Sequence, residues 1–366
     1  MKLPRITILA TLLLTAPAVA QLQITPPAAT PSPSAEKQKP KPPPVTKKKE
    51  AAPAPKPSTS PKPSTSPKPS ASPKPAPAAT VIPAPPTDNP NVDLVFGAYQ
   101  RGQYKTALDL ATARAETGDA KAMTMLGELY SNAMGIRRDY AKALQWYKRA
   151  SDAGDREAMF ALAMLRISGR GGPVDKNEAV KLMASAAKLG EPKAAYNLAL
   201  LYLDGQTLPQ DVKRSAELLR QAADAGLPEA QYALATFYKE GTGVPKDPER
   251  AVRLLQAATL TDNIDAEVEY AIALFNGTGT PKNQPAAVAL LRKASRQGSA
   301  IAQNRLAWVL INGMGTSVDK VEGFKWHLVA KTAGKGDPEL DKQLSDLPAE
   351  DRAKAEAAAR KWLGTK

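Results

Sequence analysis

Between residues 119 and 334 the apolar and polar positions of the chain recur with a period of 36. Small residues keep the beat. Alanine stands at 122, 158, 194, 230, 266 and 302, and again at 150, 186, 222, 258, 294 and 330. Glycine stands at 118, 154, 190, 226, 298 and 334, with Asp262 in the one missed position. A polar column reads Asp139, Asp175, Asp211, Asp247, Asn283 and Asp319. Six repeats therefore tile this stretch, and self-similarity at such a period is the mark of a stacked, repetitive fold.

Each repeat predicts two helices. Over residues 229–239, Ala230, Leu234 and Tyr238 fall at i, i+4 and i+8, one stripe of a helix. The stripe ends at paired glycines, Gly169/Gly171, Gly241/Gly243, Gly277/Gly279 and Gly313/Gly315, which supply the left-handed backbone that stops a helix. The Asp column then offers an oxygen to the free N–H groups of a second helix, which turns Ala143, Trp146, Tyr147 and Ala150 inward. The alanine columns mark where helices approach closely. Residues 92–118 read as an N-terminal capping pair entered through Tyr104 and Ala107. Residues 335–366 read as C-terminal capping helices, with Pro338 and Pro348 where helix starts tolerate them. A solenoid needs atypical ends to stop the stack.

Residues 120–154 carry a pattern nearly whole: Ala122, Leu126-Gly127, Tyr130, Gly135, Asp139, Ala143, Trp146, Ala150 and Gly154. This pattern resembles the Sel-one-like repeat (SLR), a branch of the tetratricopeptide superfamily, and the resemblance covers residues 119–334. It implies an all-α, right-handed α-solenoid of antiparallel helix pairs serving as a protein-interaction scaffold. Some members of the family are linked to β-lactam binding, a subgroup rich in disulfide-paired cysteines, and this chain has no cysteine at all.

The repeat also judges each chemical motif by what its column holds elsewhere. His327 is the single histidine, and its equivalents are Tyr147, Met183, Leu219, Leu255 and Leu291, so it reads as a packed core residue. One imidazole and no thiol argue against a His- or Cys-based metal site or triad. Ser185-Ala-Ala-Lys188 and Ser317-Val-Asp-Lys320 fit the Ser-x-x-Lys acylating pair, but neither has a companion Ser-Asp-Asn or Lys-Thr-Gly. Asn276-Gly-Thr278 is a sequon by pattern and loop chemistry by position. The expectation is a non-enzyme without a cofactor; a β-lactam-binding hydrolase and a structural cell-wall- or polysaccharide-associated protein are the alternatives.

The chain's 50 Lys and Arg exceed its 36 Asp and Glu, for a net charge of +14, but the excess is uneven. Residues 21–91 hold 10 Lys against Glu36, Glu50 and Asp88, together with 22 of the 34 prolines. Residues 92–366 are only mildly basic, so a nucleic-acid-binding fold is not indicated. The 21–91 segment, with its repeating Lys56–Pro61 unit, reads as a disordered proline-rich spacer, or as a basic arm toward an anionic cell-wall polymer. Ahead of it, Lys2 and Arg5, the apolar run 6–14, Pro17 and Ala18-Val19-Ala20 form a secretory signal with cleavage expected after Ala20. The run is too short for a membrane span, which needs about 20 apolar residues. A periplasmic or secreted monomer is expected.

Helical geometry places the partner surface. At 100° per residue, Ala122, Leu126 and Tyr130 face the second helix while Thr124 and Glu128 lie opposite. Down the stack the Thr124 column becomes Phe160, Tyr196, Tyr232, Val268 and Asn304, and the Glu128 column becomes Met164, Leu200, Thr236, Ile272 and Trp308. A face turned away from the core should not be so apolar unless something covers it. Neighbouring repeats are one cover. A protein or peptide partner bound along Phe160, Met164, Tyr196, Leu200, Tyr232, Thr236, Ile272 and Trp308, the concave face of tetratricopeptide folds, is the other.

Overall fold

The computed structural model describes residues 93–364. The signal segment with its cleavage site at Ala20 and the proline-rich stretch at 21–91 lie outside the described residues. Sixteen helices and no strand are found among the described residues. The six repeats are the pairs α3 (Ala120–Asn132) and α4 (Tyr140–Asp152), α5 (Arg156–Ser168) and α6 (Lys176–Lys188), α7 (Pro192–Asp204) and α8 (Val212–Asp224), α9 (Pro228–Glu240) and α10 (Pro248–Thr259), α11 (Ile264–Asn276) and α12 (Gln284–Arg296), and α13 (Ala300–Asn312) and α14 (Lys320–Thr332). Ahead of them stand α1 (Leu94–Gln100) and α2 (Tyr104–Glu116); behind them stand α15 (Pro338–Ser345) and α16 (Ala349–Gly364). Consecutive helices pack in pairs, and each pair packs on the next, as an α-solenoid requires.

The polar column starts every second helix by one device. Asp139 accepts from the Lys142 amide at 3.0 Å, Asp175 from Glu178 at 2.8 Å and Asp211 from Arg214 at 2.9 Å. Asp247, Asn283 and Asp319 do the same for Arg250, Ala286 and Glu322. Such a cap is worth about 1 kcal/mol relative to alanine. First helices are capped by Asp119, Asp155, Glu191, Asn263 and Ser299, while α9 begins after Leu227 with Pro228 and no side-chain cap.

The alanine columns lie at the helix contacts. All twelve are buried, and the most exposed, Ala122, shows only 3% of its surface. A larger side chain there would hold the axes apart, so the alanines set the spacing on which the rest of the stack is built.

The two loop glycines have different duties. The first ends the helix in left-handed conformation, as Gly241 does at φ 83°. The second lies against the previous repeat. A Cβ at Gly243 would stand 2.6 Å from the Val212 carbonyl oxygen at the start of α8, and one at Gly315 would stand 2.6 Å from the Gln284 Cβ at the start of α12. At Gly171 and Gly279 it would overlap the carbonyls of Tyr140 and Pro248. Asp262 takes φ 56° where its column otherwise holds left-handed glycine, and its carboxylate pairs with Lys293 at 2.7 Å.

At the C-terminal end α16 packs on α14, with the Trp326 and Trp362 rings edge to face at 5.0 Å. His327 is fully buried, and its Nε2 lies 2.8 Å from Asp341 on α15. The histidine thus packs and also ties α14 to the helix that follows.

The glycine roles separate experimentally. Gly241→Ala should cost about 1–2 kcal/mol for its left-handed backbone alone, since the nearest atom to a new Cβ is 3.5 Å away. Gly243→Ala should cost at least about 1 kcal/mol more, because the overlap with Val212 is added. Urea midpoints of the two variants, at equal slope, check the order.

Candidate functional site

The face opposite the second helices is built by α3, α5, α7, α9, α11 and α13. On it Phe160, Met164, Tyr196, Tyr232, Thr236, Ile272 and Trp308 are half-buried. Leu200 is not part of the open surface: it is 7% exposed and belongs to the core. Val268, from the same column as the aromatics, is also buried at 4%. The face is therefore open at its aromatic members and closed at Val268 and Leu200, one aliphatic position in each column. Phe160 and Met164 pack their inner edges on the core of the middle repeats, as do Tyr196 and Tyr232.

Phe160 and Met164 line a cleft of 470 Å³ with Thr124, Glu128, Glu157 and Lys193. Its carboxylates Glu157 and Glu128 are tied across neighbouring helices. Lys121 reaches from α3 to Asp155 at 2.9 Å and to Glu157 at 3.3 Å, and the Tyr99 hydroxyl donates to Glu128 at 2.9 Å. At the other end the face is closed by the segment after α14. The Trp308 indole N–H donates to Asp337 at 2.9 Å, and the Asn304 amide donates to the Lys335 carbonyl at 3.2 Å. Trp308 thus spends its polar edge inside the chain, and the open aromatic run is Phe160, Tyr196 and Tyr232.

Helix α9 carries two tyrosines in opposite fields. Burial pushes the Tyr232 phenol up, and the carboxylates of Glu269, Asp265 and Glu240 push it further. Tyr196 is raised by burial and by Glu229. Tyr238, six residues along α9, is lowered: burial opposes the change, but hydrogen bonds from Arg250 and Arg220, at 3.4 and 3.2 Å, outweigh it. Tyr238 sits in a separate 350 Å³ cleft with Arg220, Arg250, Arg253 and Asp224. The aromatic face is acidic around Tyr232, and the opposite side is rich in arginine.

Glu157, Lys193, Glu229 and Asp265 share one column of the repeat, three residues before Phe160, Tyr196, Tyr232 and Val268. Sequence reasoning missed Glu240 and Glu269, whose columns hold Asn132 and Met125 in the first repeat and carry no consistent sign. It also missed the arginine cleft, which needs residues of α8 and α10 brought to one tyrosine. The two Ser-x-x-Lys motifs assemble no site: the Ser185 hydroxyl donates to the Lys181 carbonyl at 3.0 Å, and Ser317 is exposed in a loop. Among the described residues no group of three or more His, Cys, Asp or Glu is placed to hold a metal, and no helix is long and apolar enough to cross a membrane.

With the repeat, its caps and its faces in place, comparison with known families is decisive. The family model described as Sel1 repeat matches six times, at residues 120–155, 156–191, 192–227, 228–260, 264–299 and 300–335. The chain belongs to the Sel1 repeat family. Sel1 repeat proteins generally mediate protein–protein interaction and are non-enzymatic scaffolds; no catalytic family is indicated. Among solved structures the chain is similar to c5321, a protective antigen present in uropathogenic Escherichia coli strains displaying an SLR fold, at 25% identity and a TM-score of 0.63. That match covers 75% of this chain and 63% of c5321, so the chain spans less than two thirds of that protein. It is also similar to a Sel1 repeat protein from Oxalobacter formigenes, at 27% identity and a TM-score of 0.59, over 66% of this chain and 100% of that one. A comparison with curated proteins finds no match.

The C-terminal tie gives a pH prediction. Hydrogen bonds from Lys331 and then His327 hold the Asp341 carboxyl below its usual range. A carboxyl lowered on folding stabilises the fold above its unfolded pKa of about 3.9, and that contribution is lost as pH falls through the folded value. Asp341→Asn should therefore lower the urea midpoint at pH 7, and the gap to the parent should shrink as pH falls below the unfolded carboxyl's value of about 3.9.

Proposed function

We propose that this chain is a non-catalytic interaction scaffold of the bacterial cell envelope, exported by its first twenty residues, that binds a protein or peptide along Phe160, Tyr196 and Tyr232. The observation that carries the reading is a run of half-buried aromatic side chains on the face turned away from the second helices. Large aromatics left partly open on a rigid surface are the residues that most often anchor a partner. What supports export is the layout of residues 1–20, with its basic start, apolar run and Ala18-Val19-Ala20.

Changing Phe160 and Tyr196 together to alanine should weaken a partner captured by crosslinking in cells by about thirtyfold, since such anchors cost about 2 kcal/mol or more. The same pair should move the melting temperature little. A variant that unfolds readily yet binds normally while folded would make these residues inter-repeat packing instead.

Export has its own check. Expressed in a Gram-negative host with its own N-terminus, the mature protein should be recovered from the periplasm or medium with Gln21 as its first residue. Recovery from the cytoplasm with Met1 or Lys2 intact would remove the envelope setting and leave the scaffold reading untouched.

A further inference from the structure

Four columns of the repeat meet where the end of a first helix packs between its own second helix and the one before. In the fourth repeat they hold Tyr238 on α9, Arg220 on α8, and Arg250 and Arg253 on α10. Every other arginine in these columns is answered by a glutamate from the same columns. Arg166, in the Tyr238 column, pairs with Glu178 at 2.7 Å. Arg214, in the Arg250 column, pairs with Glu217 at 2.7 Å. Arg292, in the Arg220 column, pairs with Glu322 at 2.9 Å. The fifth repeat has Gln256, Leu274, Ala286 and Ala289 at these positions and no charge to answer.

The fourth repeat departs from this. Residue 250 stands in the column of Glu178 and Glu322, and residue 253 in the column of Glu217, yet both are arginine. Together with Arg220 they line the 350 Å³ cleft around Tyr238, where Asp224 is the one carboxylate among the lining residues. Arg220 and Arg250 both donate to the Tyr238 hydroxyl oxygen, at 3.2 and 3.4 Å, so two guanidinium groups converge on one atom. That atom is fixed, because Tyr238 is buried in the core of the middle repeats. Asp247 takes the Arg250 Nε at 3.0 Å from outside the cleft. Arg253 reaches Glu249 only at 4.0 Å, between two exposed side chains, a pairing worth little. Arg220 pairs with no carboxylate among the described residues. Most of the guanidinium N–H groups are therefore unspent, and all three arginines are open to solvent.

We propose that this cleft binds a phosphate group, held by Arg220, Arg250 and Arg253 above the Tyr238 hydroxyl. The bound anion takes the part that Glu178, Glu217 and Glu322 play in the other repeats. A carboxylate is filled by one guanidinium fork, whereas the terminal oxygens of a phosphate accept from several at once. Because both arginines donate to the Tyr238 oxygen, its own proton is left to be donated to the ligand. Free phosphate and the monoester headgroup of a phospholipid share this chemistry. The site uses none of Phe160, Tyr196 and Tyr232, so it stands or falls apart from the reading of the aromatic face.

The test titrates inorganic phosphate into the full-length protein by calorimetry at about pH 8, where the group is a dianion. Saturable binding is expected, displaced by sulfate and not by chloride. Arg250→Glu gives Arg220 the partner that Glu322 gives Arg292, so the melting temperature should hold while affinity falls about tenfold or more. Arg253→Gln removes an exposed side chain with no packing role and should weaken binding about threefold or more, a second check should Arg250→Glu disturb the fold. Phe160→Ala combined with Tyr196→Ala should leave phosphate binding unchanged. Residues 21–91, with their lysines, are common to all these proteins, so their own attraction for anions cancels in the comparison. Short-chain phosphatidic acid, kept below its micelle concentration, separates the sources. Affinity about tenfold or more above that of inorganic phosphate, lost in Arg250→Glu, supports the site with a lipid headgroup as its ligand; equal affinity supports it with free phosphate. Binding of neither probe, or binding that Arg250→Glu and Arg253→Gln leave intact, overturns the proposal.

Discussion

The constraint on which everything else rests is how closely two helices can lie when only a methyl group separates them. Two alanine columns hold that distance at every crossing, and all twelve members are buried. Their uniformity makes each repeat present the same surface to the next. A single pair of helices has no inside of its own, and its apolar flanks are covered only by neighbours, so stability accumulates through interfaces. The aromatic face is a by-product of this arrangement. Once the alanines and leucines of a first helix are committed to its second helix and to the next repeat, the remaining edge is free to carry Phe160, Tyr196 and Tyr232 without loss to the core.

The local parts of this architecture were legible because their causes are local. An aspartate placed before a helix caps it through its own geometry, and the column does so in five repeats, with Asn283 in the sixth. The alanine and glycine periods predicted the stack itself. His327 was readable as a packed residue from the apolar side chains in its column, but its bond to Asp341 was not, because Asp341 belongs to a helix outside the repeat. The limits of the open face were hidden for a related reason. A helical projection treats Leu200 and Thr236 alike, yet one is buried and the other half-open, since cover comes from neighbouring helices whose tilt the projection omits. Trp308 looked like the end of the aromatic run until the chain after α14 returned to take its indole N–H.

The electrostatics follow the same division. Formal charge over residues 92–366 is a modest positive number, which hides two surfaces of opposite sign. One helix shows both: Tyr232 faces carboxylates from α9 and α11, and Tyr238 holds the guanidinium groups of Arg220 and Arg250. A summed charge carries no information about such a separation. It arises because the columns for the two faces are filled independently, and only the packing brings Glu269 to Tyr232 or Arg220 to Tyr238.

The second loop glycine has a consequence for how such chains change. What it meets is the carbonyl of Tyr140, Val212 or Pro248, or the Cβ of Tyr104 or Gln284, atoms that any residue but glycine supplies. The residues facing that glycine read Tyr104, Tyr140, Val212, Pro248 and Gln284, with no common property. A joint that ignores side chains is indifferent to which unit precedes it. Whole units can then be gained, lost or exchanged during evolution without redesign of the neighbour. The length of the ribbon becomes a quantity that selection can adjust in steps of 36 residues, separately from what is written on its surface.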